Sequence, residues 1–180
     1  FLKNLQQNIF KRCIVVAPTG VAAINAGGVT IHSFFQISFG PQIPGLNKSE
    51  KELYKFSREK SRIIKSLDVL IIDEISMVRA DLLDAIDGVL RKYRDRTKPF
   101  GGIQLLMIGD LHQLAPVVKQ NEHSLLKPHY NTYFFFGSQA LQKTQYITIE
   151  LTTIFRQYDE DFINILNRVR DSIMLPETIR

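Results

Sequence analysis

Apolar, β-favouring runs alternate along this chain with segments whose apolar positions recur at helical spacing. Continuous apolar runs, the mark of strands buried on both faces, occupy Cys13 to Ala17, Val69 to Ile72, Ile103 to Ile108 and Tyr146 to Leu151. From Ala80 to Arg94, the positions Leu82, Leu83, Ile86, Val89, Leu90 and Tyr93 recur about every 3.6 residues, with charges on the other face. A second helix is predicted from Asp159 to Arg170, with Asp159 or Asp161 as its cap and Phe162, Ile165, Leu166 and Val169 as its inner stripe. Phe1, Leu5 and Ile9 fit a helix already under way at residue 1. Strands alternating with helices predict an α/β fold with a mostly parallel sheet covered on both faces. No repeat, low-complexity tract or linker marks an interior boundary, so one domain is expected.

Each strand leads directly into polar residues. Pro18, Thr19 and Gly20 come after the first; Asp73 and Glu74 after the second; Gly109, Asp110 and Gln113 after the third; Thr152, Thr153 and Arg156 after the fourth. Ligands of open α/β sheets bind beyond the carboxyl ends of the strands. The pattern therefore predicts one functional rim.

Composition narrows the partners. The 180 residues are 44% hydrophobic and 23% charged, as in ordinary globular proteins, and no stretch approaches the roughly 18 apolar residues of a membrane span. With no signal peptide at the start, a soluble intracellular protein is expected. The single cysteine, Cys13, lies inside an apolar run and reads as a core residue. His112, His123 and His129 have no metal-site spacing, so no structural metal is expected. The net charge of +5, with basic clusters from Lys55 to Lys65 and from Arg91 to Lys98, permits a polyanionic partner.

The chemistry concentrates at the strand ends. In VLIIDE, four apolar residues fix a buried strand and two carboxylates come next. Asp73 is suited to hold Mg²⁺, usually through water, and Glu74 to polarise an attacking water. A carboxylate pair that merely caps the next helix is the alternative. In IGDLHQLAPV, Gln113 is placed to reach a γ-phosphate or its water. In LTTIFRQ, the permanent charge of Arg156 suits phosphate oxygens, with Gln157 as an assistant. Two segments suit nucleic acid. APTGVAA offers a turn at Pro18, Thr19 and Gly20 that opens a helix and can grip a phosphate. GGVTIHSFF sets Thr30, His32 and Ser33 beside two aromatics after a flexible Gly27–Gly28 pair, and Phe34 or Phe35 can stack on a base. Core packing is the plain alternative for the two phenylalanines.

Taken together, APTGVAAINAGGVTIHSFF, LIIDEISMV, KPFGGIQLLMIGDLHQLAPV and LTTIFRQ resemble the PIF-type (petite integration frequency) DNA helicases of superfamily 1, over about Ile14 to Arg170. The segment Asp81 to Gln104 looks like the stretch that separates this family from RecD-type helicases. The resemblance implies a three-layer, RecA-like P-loop NTPase fold and the first motor domain of an enzyme that hydrolyses ATP with Mg²⁺ and moves 5′ to 3′ along single-stranded DNA. It implies unwinding of forked DNA in replication, repair, recombination or telomere maintenance. On the matching positions, Asp73 would bind Mg²⁺, Glu74 would activate water, and Gln113 and Arg156 would meet the γ-phosphate. Thr19, Thr30 and His32 fall in the segments that line the DNA path in such enzymes, and Pro18, Gly20 and Phe34 beside them complete the candidate DNA-binding set.

Three features depart from the family. No phosphate-binding G-x-x-x-x-G-K-[ST] loop occurs; the family places it just before the helix that includes Phe1. The second motor domain is absent, and Ala115 stands where two consecutive prolines are common. Residues 1–180 are thus expected to be part of a first motor domain, monomeric, and unable by itself to hydrolyse ATP appreciably. A RecD-type nuclease subunit and a non-catalytic nucleic-acid-binding domain are the competing readings. A bacterial cytoplasm is the expected location, or the nucleus or mitochondrion of a eukaryote.

Overall fold

The computed structural model describes residues 11–43, 56–153, 155 and 159–170. The predicted helix at the start, Arg156 and Gln157 lie outside them. The chain forms two compact units, residues 1–145 and 146–180.

The first unit is built on four strands, β1 (Cys13–Ala17), β2 (Val29–Thr30), β3 (Val69–Ile72) and β4 (Gln104–Met107). They form one parallel sheet in the order β2-β1-β3-β4. Both faces are covered. On one, Val16, Leu70 and Ile72 pack with Ile31, Phe35, Ile64, Leu83, Ile86 and Leu90. On the other, Val15, Val69 and Ile71 pack with Ala26, Leu106 and Ile108. Two-sided burial is why these strands are continuous apolar runs in the sequence.

Helices α1 (Gly20–Asn25) and α2 (Ile31–Phe35) follow β1 and β2, and α3 (Arg58–Ser66) precedes β3. The long α4 (Ala80–Tyr93) follows β3; α5 (Gln120–Leu126) and α6 (Gln139–Gln142) complete the unit. The apolar stripe of α4 enters the core as its period predicts. Its acidic residues do not simply face water, however. The carboxylate of Asp81 accepts from the Gln42 amide at 2.7 Å. That of Asp84 accepts from the Tyr130 hydroxyl, the Ser138 hydroxyl and the amides of Gln139 and Ala140. Asp87 accepts from the Phe100 amide, and Arg94 donates to the carbonyls of Ile64 and Lys65. The polar side of α4 is thus the anchor for the loops around it.

The Gly27–Gly28 pair is also fixed rather than flexible. Gly27 takes a left-handed φ of 68°, and a Cβ on Gly28 would lie 2.3 Å from the Val15 carbonyl oxygen. Only glycine lets β2 close on β1 here.

In the second unit, α7 (Glu160–Arg170) forms, and the carboxylate of Asp159 caps it by accepting from the Phe162 amide at 3.1 Å, but Phe162, Ile165, Leu166 and Val169, expected as its inner stripe, are exposed. The strand predicted from Tyr146 to Leu151 does not form. Ile147, Ile149 and Leu151 are exposed. A β-prone run becomes a strand only where a neighbouring ladder takes up its amides and carbonyls.

Candidate functional site

The chain leaves β1 towards β2 on one side and then returns past β1 to place β3 on the other. This reversal between β1 and β3 is the topological switch point at which open α/β sheets form a ligand crevice. Thr19 stands at the end of β1 and Asp73–Glu74 at the end of β3, so both face the crevice.

Each side chain is positioned by identifiable bonds. The Asp73 amide still donates to the Val16 carbonyl at 2.9 Å, as the last rung of the ladder, so its carboxylate emerges at the sheet edge. That carboxylate accepts from the Glu74 amide at 3.1 Å. Glu74 has φ 50° and ψ 47°, a left-handed conformation that a non-glycine residue adopts at a cost of about 1 to 3 kcal/mol. The turn it makes is held from the next strand, since the Ile75 amide donates to the Ile108 carbonyl at 2.9 Å. Gly109 permits this approach: a Cβ there would lie 2.9 Å from Ile75 Cγ2 and 3.0 Å from the Ile75 nitrogen. Beyond it, the Asp110 carboxylate accepts from the His112 amide at 3.0 Å and, at 3.4 Å, from the Gln113 side-chain amide.

These constraints bring Thr19, Asn25, Glu74, Met77 and Gln113 to one cleft of about 210 Å³. Three strand ends that are remote in sequence thus meet in space. A larger cleft of about 490 Å³, lined by Ala115, Pro116, Lys127 and Tyr133 among others, contains none of the predicted catalytic residues. Size therefore does not identify the site; convergence of the polar strand ends does.

Among the described residues, no group of three or more His, Cys, Asp or Glu side chains converges as a metal cage. A single half-buried carboxylate, Asp73, suits Mg²⁺, which retains several waters and takes further ligands from substrate phosphates. The donor set does not suit a zinc site.

The segments predicted to line a DNA path divide in two. Thr19 and Thr30 are caps: their hydroxyls accept from the amides of Ala22 at 3.2 Å and Ser33 at 3.3 Å. Gly20 begins α1 and is exposed, while Pro18 is half-buried. Phe34 requires correction. It is 5% exposed, its ring packs edge-on against Phe35, and the Lys60 ammonium lies 3.7 Å from its centroid, so its faces are unavailable to a base. The two phenylalanines are core residues because they fall on the inner face of α2. The aromatic of this region that does present its ring is Phe39, 87% exposed and stacked on the His32 ring at 4.5 Å with planes 19° apart. Its signal was only its place in a Ser-Phe-Gly-Pro turn.

Burial pushes the His32 imidazole below its ordinary range, the Arg79 cation pushes it the same way, and Asp81 opposes them. The folded state therefore binds the proton less well than the unfolded chain. His32 contributes stability that is present above the ordinary histidine value of about 6.5 and is lost as pH falls below it. Thermal melting between about pH 7.5 and 5.5 should accordingly fall more steeply in wild type than in His32→Gln. Equal slopes would show that His32 is solvated.

Comparison with known proteins adds the family. Residues 1–177 match the family model described as PIF1-like helicase. The chain is 40% identical over 183 residues to the ATP-dependent DNA helicase PIF1 of Candida albicans, covering 99% of this chain and 20% of that protein. It is 37% identical to the human ATP-dependent DNA helicase PIF1, covering 87% of this chain and 23% of that one. A Pif1 helicase from Bacteroides solved in complex with ADP-AlF3 and ssDNA superposes with a TM-score of 0.92 at 47% identity, covering 98% of this chain and 40% of that chain. The three-layer, RecA-like fold expected from the motifs is thereby found. The chain spans about a fifth of the length of these curated relatives and about two fifths of that solved structure.

Proposed function

The chain belongs to the PIF1-like helicase family, and from that premise we propose that it forms part of the first motor domain of an ATP-dependent DNA helicase moving 5′ to 3′ on single-stranded DNA. The observation that carries this reading is the meeting of Glu74 and Gln113 with Thr19 in one cleft at the switch point of a parallel sheet.

The chemistry derives from those positions. Glu74, held at a fixed angle by its left-handed backbone, orients a water for in-line attack on the γ-phosphate and takes up its proton. Asp73 is the carboxylate that would hold Mg²⁺, whose charge offsets that of the phosphates. Gln113, tethered to Asp110, reports whether the γ-phosphate is present. Arg156 keeps the phosphate-contact role that its motif implies. On the DNA side, Pro18, Thr19 and Gly20 follow β1, Thr30 ends β2 and His32 lies in α2 just after it, and base stacking falls to Phe39 in place of Phe34.

The test is ATP hydrolysis by the full-length protein with and without single-stranded DNA. Stimulation by DNA is the expected result. Binding of DNA with no stimulated hydrolysis would replace the motor with a non-catalytic binding domain.

A further inference from the structure

Arg79 lies five residues after Glu74 in sequence, at the entry to α4, and its side chain is only 13% exposed. Its guanidinium makes a fork with Asp81: Nε donates to Oδ1 at 2.9 Å and Nη2 to Oδ2 at 2.7 Å. Nη1 donates to Glu122 on α5 at 3.0 Å, and Nη2 also donates to the carbonyl of Gly40 at 3.0 Å. One planar cation therefore joins three segments. The backbone is anchored as well, through an antiparallel bridge to Phe134 and a 2.9 Å bond from the Ala80 amide to the Tyr133 carbonyl.

The segment it grips is the turn that carries Phe39. Within that turn, the Gln42 side chain donates to the carbonyls of Ser38 at 2.8 Å and Gly40 at 3.0 Å, and the Gln42 amide donates to Asp81. Phe39 is the most exposed aromatic among the described residues, yet it stands on a turn closed by internal bonds and tied to a buried ion pair. Hydrophobic burial alone would not hold a ring in water on so rigid a mount. A stacking platform requires it, because preorganisation lowers the ordering cost of binding.

We infer that Arg79 is a positioning residue that ties the His32–Phe39 stack to the backbone leaving Glu74, so that base stacking on the DNA side is registered at the hydrolytic carboxylate. This rests on the helicase reading above. Lysine cannot replace it, since a point charge does not supply the fork that holds Asp81 and the Gly40 carbonyl together.

The experiment uses the full-length protein and a poly(dT) single strand, comparing wild type, Arg79→Lys, Phe39→Ala and the double variant. Basal hydrolysis, stimulated hydrolysis and melting temperature are measured for each. Arg79→Lys should leave basal hydrolysis unchanged while raising the DNA concentration for half-maximal stimulation about ten-fold, the size of one lost base–aromatic stack. Adding Arg79→Lys to Phe39→Ala should then cost little more, because both remove the same contact. Gln42→Ala, which loosens the turn and leaves the ion pair intact, should reproduce the defect if Arg79→Lys melts early. Wild-type half-stimulation in both Arg79→Lys and Gln42→Ala overturns the inference, as does a loss in Arg79→Lys that is multiplicative with Phe39→Ala. Absence of DNA-stimulated hydrolysis in wild type removes instead the helicase reading, which separates the two failures.

Discussion

Replacing Glu74 by Gln should lower DNA-stimulated ATP hydrolysis of the full-length protein by about 10²- to 10⁴-fold, with nucleotide binding retained. Glutamine is nearly isosteric and preserves the left-handed turn, whose geometry depends on the Ile75 to Ile108 bond and on the glycine at 109 rather than on the carboxylate. What the change removes is the base. Water near the γ-phosphate then has no group to take its proton as the bond forms, whereas the contacts that bind phosphate in the ground state are untouched. A kcat loss with an unchanged affinity for a non-hydrolysable nucleotide is the signature of an interaction made only in the transition state. If Glu74→Gln hydrolyses ATP at the wild-type rate, the carboxylate pair is merely a cap for the adjoining turn. Should nucleotide binding be lost as well, Glu74 is a ligand for the substrate rather than the base.

The second large effect is on stability and lies away from the cleft. Asp84→Ala should destabilise the unit by about 3 kcal/mol, because four donors lose a charged acceptor at once. Asp84, on α4, receives the Tyr130 hydroxyl at 2.9 Å, the Gln139 amide at 3.1 Å, the Ala140 amide at 3.0 Å and the Ser138 hydroxyl. Ser138 is fully buried and itself caps α6 by accepting from the Leu141 amide at 3.1 Å. Burial pushes the Tyr130 phenol well above its ordinary range, and the Asp84 anion beside it adds to the effect, so this hydroxyl donates and does not ionise. For a domain of this size, a loss of about 3 kcal/mol lowers the melting temperature by about 6 to 12 °C, measurable by calorimetry. Asp84→Asn, which keeps an acceptor, should lose about half as much. A shift within error for Asp84→Ala would mean that water replaces the carboxylate at every donor.

The residues differ in how legible these roles were. β1 and β3 have the bounds read from their apolar runs, and β4 is one residue shorter at each end, Gln104–Met107 against Ile103 to Ile108. Burial on both faces leaves so little freedom of composition that the strand writes itself into the sequence. The acidic residues of α4 misled in a specific way: their helical spacing marks them as a polar face, but spacing cannot say whether water or another loop answers that face. Asp81, Asp84 and Asp87 are answered by loops. The run from Tyr146 to Leu151 failed for the complementary reason, since its pattern describes a strand and no pattern supplies the neighbour.

The sequence by itself determined the parallel α/β architecture, the order of the strand-end motifs and the chemical identity of Asp73, Glu74 and Gln113 as metal ligand, base and sensor candidates. Those features are local: an apolar run buries, a carboxylate at its end emerges, and each can be read within a few residues. The tertiary structure alone decided which polar ends share a cleft, that Phe39 and not Phe34 presents its ring, and that Arg79 gathers Asp81, Glu122 and Gly40. Each of those depends on distances between segments tens of residues apart, and such distances are set by how the core packs, not by any residue's own preference.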